Sequence, residues 1–186
     1  DAFKDQLHRI SVRLSMVSFQ LPESLFLTGV IIQNPKQVAA GGYADIHMGQ
    51  YRGRLVALKT MRVFTQQTPK EISKSLKTIC REVTLLHSLK HPNICELIGV
   101  DRELFGGRFC LVTDWMPYGN IMDFVGANSF VFDEVKQFVV EIASALEYLH
   151  SKNVVHGDLH VKNILIDAGR HVRLADFGLS DFSDAS

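Results

Sequence analysis

The stretch that decides the fold runs Val154-Val155-His156-Gly157-Asp158-Leu159-His160-Val161-Lys162-Asn163-Ile164-Leu165-Ile166, then Val172-Arg173-Leu174-Ala175-Asp176-Phe177-Gly178 after a turn at Ala168-Gly169. Val154-Val155, Ile164-Leu165-Ile166 and Val172-Arg173-Leu174 read as short strands. Asp158 follows the first, Asn163 immediately precedes the second, and Asp176 closes the third. Two carboxylates and an amide at strand edges form a hard-oxygen set suited to Mg²⁺. They under-fill an octahedron, so an anionic ligand has to complete it. Taken singly, either aspartate reads as a turn or cap residue.

Further toward the N-terminus two more charges stand where a core pattern does not want them. Lys59 follows Val56-Ala57-Leu58 inside a strand expected over Leu55–Met61. Glu82 lies between Ile79 and Leu86 on the apolar face of a helix expected over Ile72–Leu89. A lone buried charge is costly, so the simplest assignment pairs Lys59 with Glu82; a structural ion pair or a lysine reaching past the core to water is the plainer alternative. Val38-Ala39-Ala40-Gly41-Gly42-Tyr43-Ala44-Asp45-Ile46 places a glycine turn between strands Gln37–Ala40 and Ala44–Tyr51. Its amides could approach phosphate oxygens, although an ordinary hairpin looks the same.

Around these residues the chain changes character near residues 113–120. Strands are expected at Cys95–Asp101 and Arg108–Thr113, and a helix from an Asp133 cap to about His150. Val135, Phe138, Val139, Ile142, Ala145, Leu146 and Leu149 form its inward face. Phe3, Leu7, Ile10, Leu14 and Val17 make an apolar stripe on an N-terminal helix. It reads as a helix packed on the body of the domain by that stripe, with a short coiled-coil seam as the alternative.

Composition sets bounds on function. Twenty basic residues balance twenty acidic ones in 186, which gives no footprint of a nucleic-acid binder or a polybasic membrane patch. No apolar run is long enough for a membrane span, and Asp1-Ala2-Phe3-Lys4-Asp5 does not resemble a signal peptide. Three cysteines, Cys80, Cys95 and Cys110, form no CxxC pair and fit a reducing compartment, so a cytoplasmic protein is expected.

The order Val-Ala-Leu-Lys59, Glu82, His156-Gly157-Asp158-Leu159 with Asn163, and Asp176-Phe177-Gly178 resembles a eukaryotic protein kinase from about Gln33 onward. The flanking residues resemble the tyrosine-kinase-like group of the kind expanded in fungi. The resemblance implies an α+β fold: a five-stranded antiparallel sheet with one helix, then a partial, mainly helical second lobe. It divides the chain into a helix and extended arm at 1–36, an N-lobe and hinge at 37–117, and a partial C-lobe at 118–186.

It also implies ATP and Mg²⁺ as cofactors and a protein as substrate. Lys59, positioned by Glu82, would hold the ATP phosphates; Asp158 would take the hydroxyl proton; Asn163 and Asp176 would hold Mg²⁺; Lys162 would place positive charge near the transferred phosphate. Val38, Gly41 and Gly42 would cover the nucleotide, and Ile46, Ala57 and Leu165 would sandwich the adenine. Asp114 and Met116 would offer it backbone hydrogen bonds, with Thr113 behind. Leu86, Leu97, His156 and Phe177 would stack as a spine, a packing role that outranks a metal site at His156 and His160.

Four departures from the kinase pattern matter. Ala39 and Ala44 replace two loop glycines, which weakens the grip on phosphates. Gly157 replaces the arginine that usually precedes the catalytic aspartate, removing the usual partner of an activating phosphate. His160 and Lys162 match neither the serine/threonine nor the tyrosine pattern, and the group resemblance favours serine/threonine. The sequence also ends eight residues after Gly178, before the rest of the activation segment, so an incomplete catalytic domain with exposed apolar area on the Glu134–His150 helix is expected. The alternative is a pseudokinase-like nucleotide-binding or interaction module, with residues 3–17 offering a helix-mediated contact.

Overall fold

The computed structural model describes residues 2–40, 44–61, 68–127 and 132–182. Five antiparallel strands, β1 (Ile31–Ala40), β2 (Ala44–Tyr51), β3 (Arg54–Met61), β4 (Leu97–Asp101) and β5 (Cys110–Asp114), form one sheet in the order β1-β2-β3-β5-β4. Arg52 and Gly53, both at positive φ (48° and 80°), close the two-residue turn between β2 and β3, which is the twist a tight hairpin needs. Alternation along central β3 buries Val56 and Leu58 against Val30, Cys110 and Val112 on one face. Ala57 and Lys59 therefore face the other way.

Helix α1 spans Ala2–Ser18 and α2 spans Pro69–Ser88. The start of α2 is set by a capping box: the Thr68 hydroxyl accepts from Glu71 N–H, and the Glu71 carboxylate accepts from Thr68 N–H at 2.7 Å. Its buried face is Ile79, Cys80, Glu82, Val83, Leu85 and Leu86. After the sheet come α3 (Ile121–Ala127), α4 (Phe132–Ser151), and the short strands β6 (Val154–Val155), β7 (Ile164–Ile166), β8 (Val172–Leu174) and β9 (Asp181–Phe182). β7 pairs with β8, and β6 with β9. A single buried cluster runs from Leu85, Leu86 and Leu97 through Leu149, Ile166 and Leu174 to Phe177, joining the sheet side to the helical side. No helix among the described residues is long and apolar enough to cross a membrane.

Several expectations change. The stripe on α1 faces solvent: Phe3 is 71% exposed, Leu14 64% and Val17 75%. The helix packs on α2 through the opposite face, where Val12 and Ser15 are buried, because polar groups there find partners on α2. On α4 only Phe138, Ala145 and Leu149 are buried, whereas Val135 and Val139 are exposed, and Asp133 lies inside the helix instead of capping it. The extended arm expected before residue 37 and the strand expected at Gln37–Ala40 form one strand from Ile31, because Ile31 and Ile32 pair with Gln50 and Gly49 of β2. Gly41 and Gly42 lie outside the described residues.

Candidate active site

Strand β3 and helix α2 deliver a lysine and a glutamate to one point. Lys59 Nζ donates to Glu82 Oε1 at 2.7 Å and Oε2 at 3.0 Å, and to Asp176 Oδ1 at 2.8 Å. Burial opposes the Lys59 charge, but the Glu82 and Asp176 carboxylates outweigh it and raise the ammonium above its ordinary range. Glu82 is pushed up by burial, with Lys59 pulling the other way and Asp176 adding to the rise. Burial opposes ionisation of Asp176 as well, yet Lys59 holds it below the usual carboxylate range. One cation thus serves two carboxylates, and the cluster with both ionised carries a net negative charge that a further cation would relieve. Asp176 sits at φ 64°, a left-handed backbone uncommon for an aspartate, and such strain concentrates at functional sites.

The loop between β6 and β7 supplies the second half. Asn163 Nδ2 donates to the Asp158 carbonyl at 2.9 Å and reaches Asp158 Oδ2 at 3.4 Å. That orientation turns the amide oxygen away from Asp158, and the oxygen is the atom a metal would want. Ala175 N–H donates to the Asn163 carbonyl at 2.9 Å, which ties this loop to the residue before Asp176. His156 is buried; its Nε2 donates to Ala175 O at 3.0 Å and its Nδ1 accepts from Asp158 N–H at 3.4 Å. Burial keeps the imidazole pKa below its ordinary value, as a ring with one donor and one acceptor nitrogen requires. Its ring meets Phe177 at 4.7 Å between centroids, and Leu86, Leu97 and Phe177 are buried with it. His160 stands 3.6 Å from Asp158, and Lys162 is exposed.

Thr113 and Asp114 end β5 at the crossing between the two parts. Ala57 pairs with Thr113 and Val56 with Asp114, so the end of β5 lies beside β3. Met116 is buried and its carbonyl accepts from Gly119 N–H, closing the turn that leads to α3. Ile46 pairs with Lys59, and Leu165 is bridged to Asn120 just past the crossing. Val38 lies in β1. The Asp114 carboxylate takes the Arg54 guanidinium at 2.6 Å, a partner that sequence spacing does not reveal.

Comparison with known proteins identifies the arrangement. The family described as protein tyrosine and serine/threonine kinase matches residues 32–186. The chain belongs to the protein kinase family. Among curated relatives, serine/threonine-protein kinase STY46 of Arabidopsis thaliana is 30% identical over 147 residues, covering 77% of this chain and 24% of that protein. Serine/threonine/tyrosine-protein kinase HT1 of the same plant is 33% identical, covering 76% of this chain and 36% of that protein. Tyrosine-protein kinase ABL2 of Mus musculus is also 33% identical, over 77% of this chain and 12% of its own length. The chain therefore spans about a third or less of the curated relatives it matches.

Kinases as a family use ATP and Mg²⁺. Among the described residues no group of three His, Cys, Asp or Glu side chains could hold a metal alone. The donors that fit are the Asp176 carboxylate and the Asn163 amide oxygen, both hard oxygens suited to Mg²⁺, with a bound anion supplying the rest. Gly157 of this kinase domain is at φ 79°, and a Cβ there would strike the Leu179 carbonyl. The space beside the loop that bears Asp158 is filled by the chain itself, since Ser180 Oγ also donates to His156 O at 2.7 Å. Two contributors escaped the sequence reading. Asp176 shares Lys59 with Glu82, and Arg81 of α2 stands 3.9 Å from Asp181. The 4-3-4 placement of Lys70, Lys74, Lys77 and Arg81 was the available signal for the second.

Proposed function

We propose that the chain carries the nucleotide and metal machinery of an ATP- and Mg²⁺-dependent protein kinase of the tyrosine-kinase-like group, acting on serine or threonine hydroxyls in preference to tyrosine. The observation that supports it most is Lys59 held between Glu82 and Asp176, with Asn163 tied to Asp158 next to them. In this reading Lys59 binds the α- and β-phosphates and Glu82 orients it. Asp158 accepts the proton of the substrate hydroxyl as that oxygen bonds to the γ-phosphorus and the bond to the ADP oxygen breaks. Asn163 and Asp176 hold Mg²⁺, which when bound neutralises charge on the phosphate oxygens. Lys162 lies exposed nearby and adds positive charge toward the transferred group. Val38, Gly41 and Gly42 cover the phosphates; Ile46, Ala57 and Leu165 enclose the adenine; Thr113, Asp114 and Met116 line its edge.

The proposed division is arm 1–36, N-lobe and hinge 37–117 and partial C-lobe 118–186, in a cytoplasmic protein. Mg²⁺-dependent ATP binding tests the reading by calorimetry: Lys59→Met and Asp176→Ala should each lose it. Binding unchanged in both variants would refute the assignment. Phosphate transfer to mixed serine, threonine and tyrosine peptides by a chain extended past Ser186 tests the chemistry. Phosphotyrosine alone would overturn the serine/threonine preference. The alanines at 39 and 44 favour the second reading, a nucleotide-binding or interaction module, and it predicts ATP binding with no transfer. The contact at residues 3–17 we assign to a second copy, since the stripe is apolar and exposed. Light scattering should show a dimer that Leu14→Glu dissolves, and a monomer at all concentrations would remove this contact.

A further inference from the structure

We propose that α1 is a positioning element of the catalytic centre, holding α2 and its Glu82 against Lys59 by tying α2 to β9, the strand that follows Asp176-Phe177-Gly178. The proposal rests on reading Lys59, Glu82 and Asp176 as the nucleotide-phosphate centre. The contact begins on the rear of α2. Thr84, two residues past Glu82, points to the opposite side of the helix, since successive residues turn by about 100°. There Ser15 Oγ and Thr84 Oγ1 share a hydrogen bond at 3.0 Å, beside buried Val12. One turn on, Ser88 Oγ lies 2.9 Å from His8 Nε2. Ser88 donates its own proton to Leu85 O at 2.7 Å, so the imidazole N–H is the donor to Ser88.

The same end of α1 reaches the other half of the site. The His8 ring meets Phe182 edge-on at 5.5 Å, and the Arg9 guanidinium stands over the Phe182 ring at 5.2 Å. Phe182 is fixed in turn, because β9 pairs it with Val154 of β6 and its ring packs on the main core. Arg81 adds a direct link from α2 to Asp181 at 3.9 Å. With Gly157 in the catalytic loop, the cations that meet residues 181 and 182 among the described residues come from α1 and α2. α1 therefore touches both elements that converge on Lys59, the helix bearing Glu82 and the strand just beyond Asp176. A helix that pivots away would leave Lys59 with Asp176 alone. Contacts that hold it shift that equilibrium without touching nucleotide.

The test measures MgATP affinity by calorimetry and amide hydrogen exchange across residues 78–86, with thermal melting as the check on folding. Arg9→Ala should weaken MgATP roughly fivefold and speed exchange in α2, a coupling of ordinary size. Arg9→Lys, which keeps a cation over the ring, should restore both. Phe182→Leu, which removes the His8 and Arg9 ring contacts together, should weaken MgATP at least as much as Arg9→Ala. Gln6→Ala, at an exposed residue of α1 outside both contacts, should change neither readout. Unchanged affinity and exchange in Arg9→Ala overturns the proposal, as does a loss that Arg9→Lys fails to restore. If Arg9→Ala gives no cooperative melt, Thr84→Val takes its place, since it removes the hydroxyl link while keeping the volume, and the same two results decide. A wild-type chain that binds no MgATP refutes the nucleotide reading, and the exchange data then decide the role of α1 separately.

Discussion

Gly157 shows how much a single position constrains. Its φ of 79° is open to glycine, and the Leu179 carbonyl occupies the place of a Cβ. Reinstating the arginine usual in kinases would therefore not restore an anion site. Gly157→Arg and even Gly157→Ala should destabilise the chain by at least about 1–2 kcal/mol from the left-handed backbone alone. That is a fall of roughly 2–8 °C in melting temperature for a chain of this size. Equal melting of wild type and Gly157→Ala would show that this loop relaxes freely. Lys59 and Glu82 were legible as a pair because each interrupts an apolar pattern. That Asp176 also takes Lys59 was not, because a contact across 117 positions leaves no periodic trace.

The β7–β8 hairpin shows the same logic for an element. The Asp167 carboxylate accepts from Gly169 N–H at 2.9 Å, His171 N–H at 3.0 Å and Arg173 Nε at 2.9 Å, tying off the turn that aligns Asn163 and Asp176 at its two ends. Burial opposes ionisation of Asp167, but these bonds outweigh it and depress its pKa. A depressed carboxylate favours folding above its unfolded pKa, near 3.9, and that contribution disappears as pH falls through the lower folded value. Asp167→Asn should cost about 2 kcal/mol at neutral pH and flatten the acid limb of stability between pH 5 and 2, measured by urea titration across that range. An unchanged acid limb would reassign it to other carboxylates. Elements of this kind were readable from strand runs and turn residues. The orientation of α1 was not, since its packed face sets Val12 beside two polar residues, His8 and Ser15, whose partners on α2 are Ser88 and Thr84. The capping box at Thr68-Pro69-Lys70-Glu71 was in plain view and would have moved the start of α2 from Ile72 to Pro69.

For the whole molecule, the question is what its surface does when the core is already shared between the two parts. Phe132, Val135 and Val139 are exposed at 3-4 spacing on α4, with Val140 beside them, and Met122 and Val125 are exposed on α3. The sequence reading expected apolar exposure on this helix, and the structure puts it on the face where Val135 and Val139 were expected to point inward. The formal net charge is zero, so no long-range repulsion opposes contact between copies. A chain with such a patch and no charge to keep copies apart should self-associate as its concentration rises. This contact is separable from that of α1, so it is best measured with Leu14→Glu already in place. In that background, Val135→Glu with Val139→Glu removes the apolar face and adds two negative charges. Light scattering should change from concentration-dependent to flat, while the stability stays within about 0.5 kcal/mol because neither side chain is in the core. Scattering that stays concentration-dependent would place the association elsewhere, and a large fall in stability would show that α4 leans on those valines after all.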